Sequence, residues 1–398
     1  MTPDPIESKE KVRKTTDIRS TETSKLQKPD QDAILNGATQ IVETLSTDFT
    51  FRHKIVWRNV IAYVIFHILG FVGIYIGLTF RANPLTTIFA VGVYVIGALG
   101  VTVGAHRYFT HKAYKATTAT RRVLMLLFIL NGQNSLWEWV RDHRQHHKYS
   151  DTDADPHNAS RGFIFSHIGW LLSRKHPLVI KYGKDIDMSD LEADSWIMFQ
   201  KKNFLLIYAF ISVFLPCIFP ILLWNEHPIV SLFVIYFGRT AASLNATWLI
   251  NSLAHISGMR PYDKNLLPAQ NQFVSFFGLG EGWHNYHHTF PWDYRTAELN
   301  TPFNFSTTVI DFCAKRGWIY DLKFCKEESM KRRIERTGDN SHPKYGNPEE
   351  FKVEEETHMC GFHHLPPGET YCEGCYTLEY AAAYGVVSFF LPLLTPPP

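Results

Sequence analysis

The sequence predicts an all-α integral membrane protein: four transmembrane helices in two hairpins, with a cytosolic helical cap holding a histidine-ligated di-metal centre. Three observations carry this. The apolar residues gather into four long runs. The runs pair off across very short links. Histidines cluster tightly at His106/His111, His143/His146/His147 and His284/His287/His288, in the polar segments that follow the runs.

The first run spans about residues 55–80 and the second about 85–103, with residues 81–84 between them. The third spans 204–224 and the fourth about 228–250, separated by Asn225, Glu226 and His227. A helix crosses the hydrocarbon core with roughly 20 apolar residues. One such run alone would also suit a buried core helix, but four in two hairpins favour membrane spans. Lys and Arg crowd the segments outside the hairpins (Arg52, Lys54, Arg58, Arg107, Lys112, Lys201, Lys202), whereas the short links hold only Arg81. Positive residues stay on the cytoplasmic side. Both termini and all three clusters are therefore expected in the cytosol.

Across 398 residues the formal net charge is +2, which excludes a strongly basic nucleic-acid binder; no nucleic-acid partner is expected. Residues 1–50 are polar, without a charged stretch leading into an apolar core. They read as a disordered cytosolic tail with no cleavable signal peptide. Residues 51–337 form the membrane domain, and 338–398 a divergent C-terminal tail. Cys217, Cys313 and Cys325 are scattered and suggest no disulfide framework, which fits a reducing, cytosol-facing environment. Between the hairpins, residues 121–136 are apolar but short for a span and suit an interfacial helix. Residues 191–202 look like another short amphipathic helix.

His143, His146 and His147 stand at i, i+3 and i+4, which puts three imidazoles on one helical face; His284, His287 and His288 repeat the pattern. His106 and His111 are five apart, which on a straight α-helix turns one ring away from the other, so the helix is expected to end or kink between them. Asn251 and His255 share the i, i+4 spacing near the end of the fourth run and join as candidate ligands. Nine imidazoles are too many for one tetrahedral zinc and suit two metals of higher coordination. Imidazole accepts iron, copper, nickel and zinc alike, so ligand type leaves the metal open. Asp151, Asp153 and Asp155 are candidate acceptors for ligand N–H groups. His157 reads as structural or supporting, and His53, His67, His167, His176 and His227 lack partner spacing.

The strings GAHRYFTHKAYKA, WVRDHRQHHKYSDTDADPHNASRGFIFSHIGWLL, NSLAHISGMRPYDKN and GEGWHNYHHTFPWDYRTAEL resemble the acyl-CoA desaturases of the stearoyl-CoA desaturase family, most of all the insect members. The likeness covers about residues 50–337, so 51–337 would be a membrane fatty acid desaturase domain. It implies two ferrous ions, O2 as co-substrate, and electrons from cytochrome b5 and its NADH-dependent reductase. The implied reaction puts a cis double bond, Δ9 by default, into a saturated long-chain fatty acyl-CoA at the endoplasmic reticulum membrane. By matched position, one iron takes His106, His111, His143, His147 and His287. The other takes His146, His255, His284 and His288, with Asn251 reaching it through a water. Asn59, Asn134, Arg141, Asp142, Arg174, Lys175 and Trp248 are implied substrate contacts. Tyr94, about three turns before His106, either caps an acyl tunnel or packs against lipid or protein.

Two features stand apart. Cys360, His363, Cys372 and Cys375 resemble a zinc knuckle, or else belong to a divergent terminus. A membrane di-iron hydroxylase is a rival of similar chemistry. A metal transporter is a rival of another kind, but transporters bury their site near the bilayer midplane, and these histidines lie at span ends.

Overall fold

The computed structural model describes residues 45–347. The candidate zinc residues Cys360, His363, Cys372 and Cys375 lie outside them, as does the expected N-terminal tail apart from residues 45–50. The main helices are α1 Trp57–Leu78, α2 Pro84–Thr110, α3 Thr118–Asn131, α4 Leu136–Tyr149, α5 Ser195–Lys202, α6 Phe204–Trp224, α7 Pro228–Ile256, α8 Gln272–Phe277, α9 His284–Thr289, α10 Phe305–Lys315 and α11 Glu327–Thr337. A two-residue antiparallel pair joins Lys115–Ala116 to Ile319–Tyr320.

Four helices are long and apolar enough to span a bilayer: α1, α2, α6 and α7. They are not equivalent. In the apolar 18-residue stretch of each, 56% of α2 and of α7 is buried inside the protein, against 17% for α1 and 22% for α6. The inner pair therefore shapes the interior, and α1 and α6 turn Ile61, Ile65, Ile68, Leu205, Leu206 and Leu222 outward, as lipid contact requires. Both inner helices outrun their apolar sequence, α2 to Thr110 and α7 to Ile256. Those polar extensions carry His106 and His255.

Small residues let the outer helix approach the inner one. A Cβ at Gly73 of α1 would sit 2.0 Å from the Phe233 carbonyl oxygen of α7, and one at Gly70 would sit 2.6 Å from the Ala241 Cβ. Close backbone approach of this kind is how membrane helices gain packing energy when lipid offers no hydrophobic drive. The two hairpin turns are tied by Glu226, which accepts from the Asn83 N–H at 2.9 Å and the Thr86 hydroxyl at 2.5 Å. The buried guanidinium of Arg239 donates to the carbonyls of Ile235, Leu130 and Ser212, joining α7 to the end of α3 and to α6.

The apolar stretch between the hairpins divides. Gly132, at φ 73°, ends α3, so Leu136 does not belong to it but opens α4. Ser135 caps α4: its hydroxyl oxygen accepts from the Glu138 N–H and donates to the Glu138 carboxylate at 2.7 Å. The amphipathic segment also splits, into Ser189–Glu192 and α5, because the Asp194 side chain caps a fresh helix start. Beneath the spans, Phe109, Phe128, Leu136, Val140, Leu191, Ile197, Ile310 and Ile319 form the core of the cap. Packing continues past α11: buried His342 lies with Nε2 2.8 Å from Glu298.

Candidate metal centre

Local winding brings His106 and His111 together. From Gly100 to Thr110, α2 is π-helical, and the His111 N–H donates to the His106 carbonyl at 3.1 Å, five residues back. Residues five apart then lie one above the other, and the two rings stand 4.8 Å apart. The helix does stop before His111, but the wider turn, not a kink, aligns the pair. The α3 helix presses on this segment, since a Cβ at Gly100 would meet the Leu127 carbonyl carbon at 2.2 Å.

The histidines separate into two groups. His106, His111, His143, His147 and His287 offer nitrogens all within 4.8 Å of one another, and so do His146, His255, His284 and His288. In the first group Nε2 of His287 lies 2.9 Å from Nε2 of both His106 and His147, and the His111–His143 pair is at 3.3 Å. In the second, Nε2 of His284 lies 3.1 Å from that of His255 and of His288, and His146–His288 is at 3.3 Å. The i, i+3, i+4 face of α4 thus feeds both groups: His143 and His147 enter one, His146 the other.

Buried carboxylates set which nitrogen faces inward. His146 Nδ1 lies 2.8 Å from Asp155, and His255 Nδ1 lies 3.1 Å from Asp151. His106 Nδ1 lies 2.9 Å from Glu281, in ion-pair contact rather than a well-aligned hydrogen bond. With Nδ1 carrying the proton, Nε2 presents only a lone pair. Burial, reinforced by neighbouring imidazoles, holds His111, His143, His147, His284, His287 and His288 well below the usual imidazole range, which favours their neutral form. For His146 burial acts in the same direction, but the Asp155 carboxylate outweighs it and raises the ring.

Neutral imidazoles whose lone pairs converge at this spacing repel one another unless a cation lies between them. Metal–nitrogen bonds of roughly 2.0–2.1 Å set at right angles put neighbouring nitrogens about 3 Å apart, the separation found here. The Nδ1 atom of His287 is buried without a hydrogen-bond partner among the described residues. The donor set fits two metal ions, one with five imidazoles and one with four.

Other candidates fall in different places. Asn251 is half-buried, one turn before His255, and ends the regular α-helical part of α7. Asp153 does not serve a ligand histidine. It pairs with Arg161 at 2.6 Å and lies 3.7 Å from His176. The His157 ring lies 4.4 Å from that of His146, tilted by 43°, and its backbone N–H donates to Asp155. Asp142 holds Arg141 at 2.6 Å and Lys175 at 2.8 Å on the wall of a cleft of about 590 Å³. Asn59 donates to the Leu171 carbonyl, and Asn134 caps its neighbour Ser135 at φ 79°. Arg174 pairs its backbone with Lys54, and Trp248 is buried inside the bundle. The structure thus gathers Arg141, Asp142 and Lys175 on one cleft wall, and Asn59 and the Arg174 backbone join the adjoining segment to the start of α1.

Sequence reasoning missed Glu281 and Arg107. Fully buried Arg107 donates to Glu281, Thr307, Asn304 and the Tyr294 carbonyl. The acid three residues before His284 was the available signal. Also missed was the Trp139 indole, which stacks 4.9 Å from His143 and donates to Gln133, which in turn donates to Thr247.

Comparison with known proteins agrees with this geometry. The family model described as fatty acid desaturase matches residues 83–320. An acyl-CoA Delta-9 desaturase of Acheta domesticus is 51% identical over 74% of this chain and 82% of its own length. An acyl-CoA Delta(11) desaturase of Trichoplusia ni is 48% identical over 73% of the chain and 83% of its own length. An acyl-CoA Delta12-desaturase of Acheta domesticus is 46% identical over 74% and 83%. With four apolar spans and two converging imidazole groups behind this likeness, the chain belongs to the fatty acid desaturase family.

Proposed function

We propose that this protein is an acyl-CoA desaturase that inserts a cis double bond, at Δ9, into a saturated long-chain fatty acyl-CoA. The observation that carries the reading is the pair of imidazole groups, five and four, with Nε2 lone pairs turned inward. Two iron ions suit these neutral nitrogen donors. Bound there, they would supply the oxidising power to take two hydrogens from adjacent methylenes. The balance is one O2, two electrons and two protons in, and two waters out. Cytochrome b5 and its NADH-dependent reductase are the proposed electron source. The endoplasmic reticulum membrane, with both termini cytosolic, is the proposed location, in keeping with the positive residues outside the hairpins.

The chain's own residues have distinct tasks in this reading. His106, His111, His143, His147 and His287 hold one iron. His146, His255, His284 and His288 hold the other, with Asn251 joining through a water. Glu281, Asp151 and Asp155 keep the ligand tautomers fixed. Arg141 and Lys175 take the phosphates of CoA, Arg with a planar fork and Lys as a point charge, with Asp142 spacing them. Asn59 and Arg174 complete the polar contact, while Asn134 and Trp248 touch the substrate nearer the bundle. The relative named for Δ9 supports that position, and the Δ11 and Δ12 relatives make double-bond position the quantity to measure.

The test is expression in a desaturase-deficient yeast, with double bonds located by mass spectrometry. A new Δ9 unsaturated fatty acid is expected. His146→Ala and His287→Ala are expected to abolish it while the protein still enters membranes. Well-expressed protein with no new alkene overturns the reading.

A further inference from the structure

Two histidines outside the metal groups lie within the spanning region and its border: His67 on α1 and His167 in the turn Phe165–Gly169. Polar side chains at such depth are costly and rarely idle. Here they belong to one chain of hydrogen bonds. His67 Nδ1 lies 2.7 Å from the Tyr63 carbonyl, His67 Nε2 lies 3.1 Å from the Asn245 amide nitrogen, and the Asn245 oxygen lies 3.1 Å from His167 Nε2. His167 Nδ1 lies 3.0 Å from the Ser252 hydroxyl.

Elementary donor counting orients every member. A carbonyl only accepts, so His67 carries its proton on Nδ1 and accepts at Nε2. Asn245 must then turn its NH2 to His67, where its second hydrogen reaches the Ala241 carbonyl at 2.8 Å. Its oxygen is left to accept from His167 Nε2–H. His167 Nδ1 becomes an acceptor facing Ser252, whose one proton goes either there or to the Trp248 carbonyl at 2.8 Å. With both imidazoles neutral, the His67–Asn245–His167 links have one arrangement, and only the Ser252 proton is shared between two acceptors.

That arrangement surrounds a single side chain. Trp248 sits between Asn245 and Ser252 on the same face of α7. Its indole is met by the rings of Tyr63 and His67 at 5.8 Å and of His167 at 5.7 Å. Only 3% of Trp248 is exposed. His255, a member of the four-nitrogen group, follows on the same helix seven residues later, roughly 10 Å along the axis. The network therefore fixes the indole relative to the metal ligands across three separate segments.

We propose that His67, Asn245, His167 and Ser252 are positioning residues that hold Trp248 in register with the metal centre, and so select which methylenes of the acyl chain are desaturated. This rests on the desaturase reading and on Trp248 as an acyl contact. Loss of a link frees the indole without removing a ligand, so accuracy falls while metal binding remains.

The experiment compares the parent with His67→Leu, His167→Leu and His167→Gln in membranes of desaturase-deficient yeast supplied with palmitoyl- and stearoyl-CoA. Double-bond position, the palmitoyl-to-stearoyl product ratio and the iron content of purified protein are read together. Both Leu variants should keep parental iron, spread the double bond to neighbouring positions, and shift the ratio by roughly tenfold or more, since the two chains differ by two methylenes and one methylene in an apolar pocket is worth about tenfold at least. His167→Gln retains a donor and an acceptor and should restore the parental profile. Parental position and ratio in the Leu variants, with only the yield reduced, overturn the proposal. Ser252→Ala, which removes one terminal hydroxyl, is read by the same criteria if a Leu variant does not accumulate. A parent that makes no alkene overturns the desaturase reading together with this inference; an active parent with unaltered variants overturns the inference alone.

Discussion

Glu281 divides its carboxylate between a ligand and a cation. Oε2 lies 2.9 Å from His106 Nδ1, and Oε1 lies 3.0 Å from Arg107 Nε. All three groups are buried. Burial favours the neutral acid, but Arg107 and then His106 overcome it and hold the carboxyl below its ordinary range. Glu281→Ala should therefore do two things. Metal affinity should fall about 10- to 100-fold, as for other partners of ligand histidines. Stability should fall by about 3–5 kcal/mol, because Arg107 is left as a buried cation without its counter-charge. Metal per polypeptide and the thermal midpoint in detergent check these; parental values for both would refute the linkage.

Tyr94 of α2 donates its hydroxyl to the Phe277 carbonyl at 2.8 Å, fastening the span to α8. If its ring closes the far end of an acyl tunnel, Tyr94→Ala should admit longer acyl chains. Product chain lengths from a mixed acyl-CoA pool measure this, and an unchanged distribution counts against the role.

The α1–α7 contact gives a prediction about assembly. A methyl at Gly73 would meet the Phe233 carbonyl oxygen at 2.0 Å, whereas one at Gly92 of α2 would meet nothing within 4 Å. Backbone cannot yield as a side chain does. Gly73→Ala should destabilise by about 1–3 kcal/mol, the usual cost of overpacking, and Gly92→Ala should be neutral. Equal thermal midpoints for the two variants would contradict the contact.

Asp190 joins the cap through Arg144 and Lys112, at 2.8 and 3.0 Å. Burial alone would raise its carboxyl, but the hydrogen bonds from Arg144 and Lys112 bring it from 3.8 down to about 2. A carboxyl lowered in the folded state adds stability that is fully present above its unfolded value and disappears as pH falls through the folded one. The thermal midpoint of the parent should therefore exceed that of Asp190→Asn by a constant margin from neutral pH to just above 3.8, and the margin should close toward pH 2. A margin that does not change across that acid range would show that the ion pairs contribute nothing.

By itself the sequence determined the four spans and the three histidine clusters, because both are local signals. A run of apolar residues records its burial in lipid wherever the rest of the chain goes. The i, i+3, i+4 spacing fixes a helical face before any packing occurs. Tertiary structure decided what spacing cannot encode. His106 and His111 align because the end of α2 is π-wound, with α3 pressed on Gly100. Asp151 and Asp155 reach His255 and His146, while Asp153, midway between them in sequence, turns to Arg161. His67 and His167 looked like background because their shared partner, Asn245, lies 178 and 78 residues away along the chain. Contacts at such separation depend on how helices pack, and packing is settled by the whole chain at once.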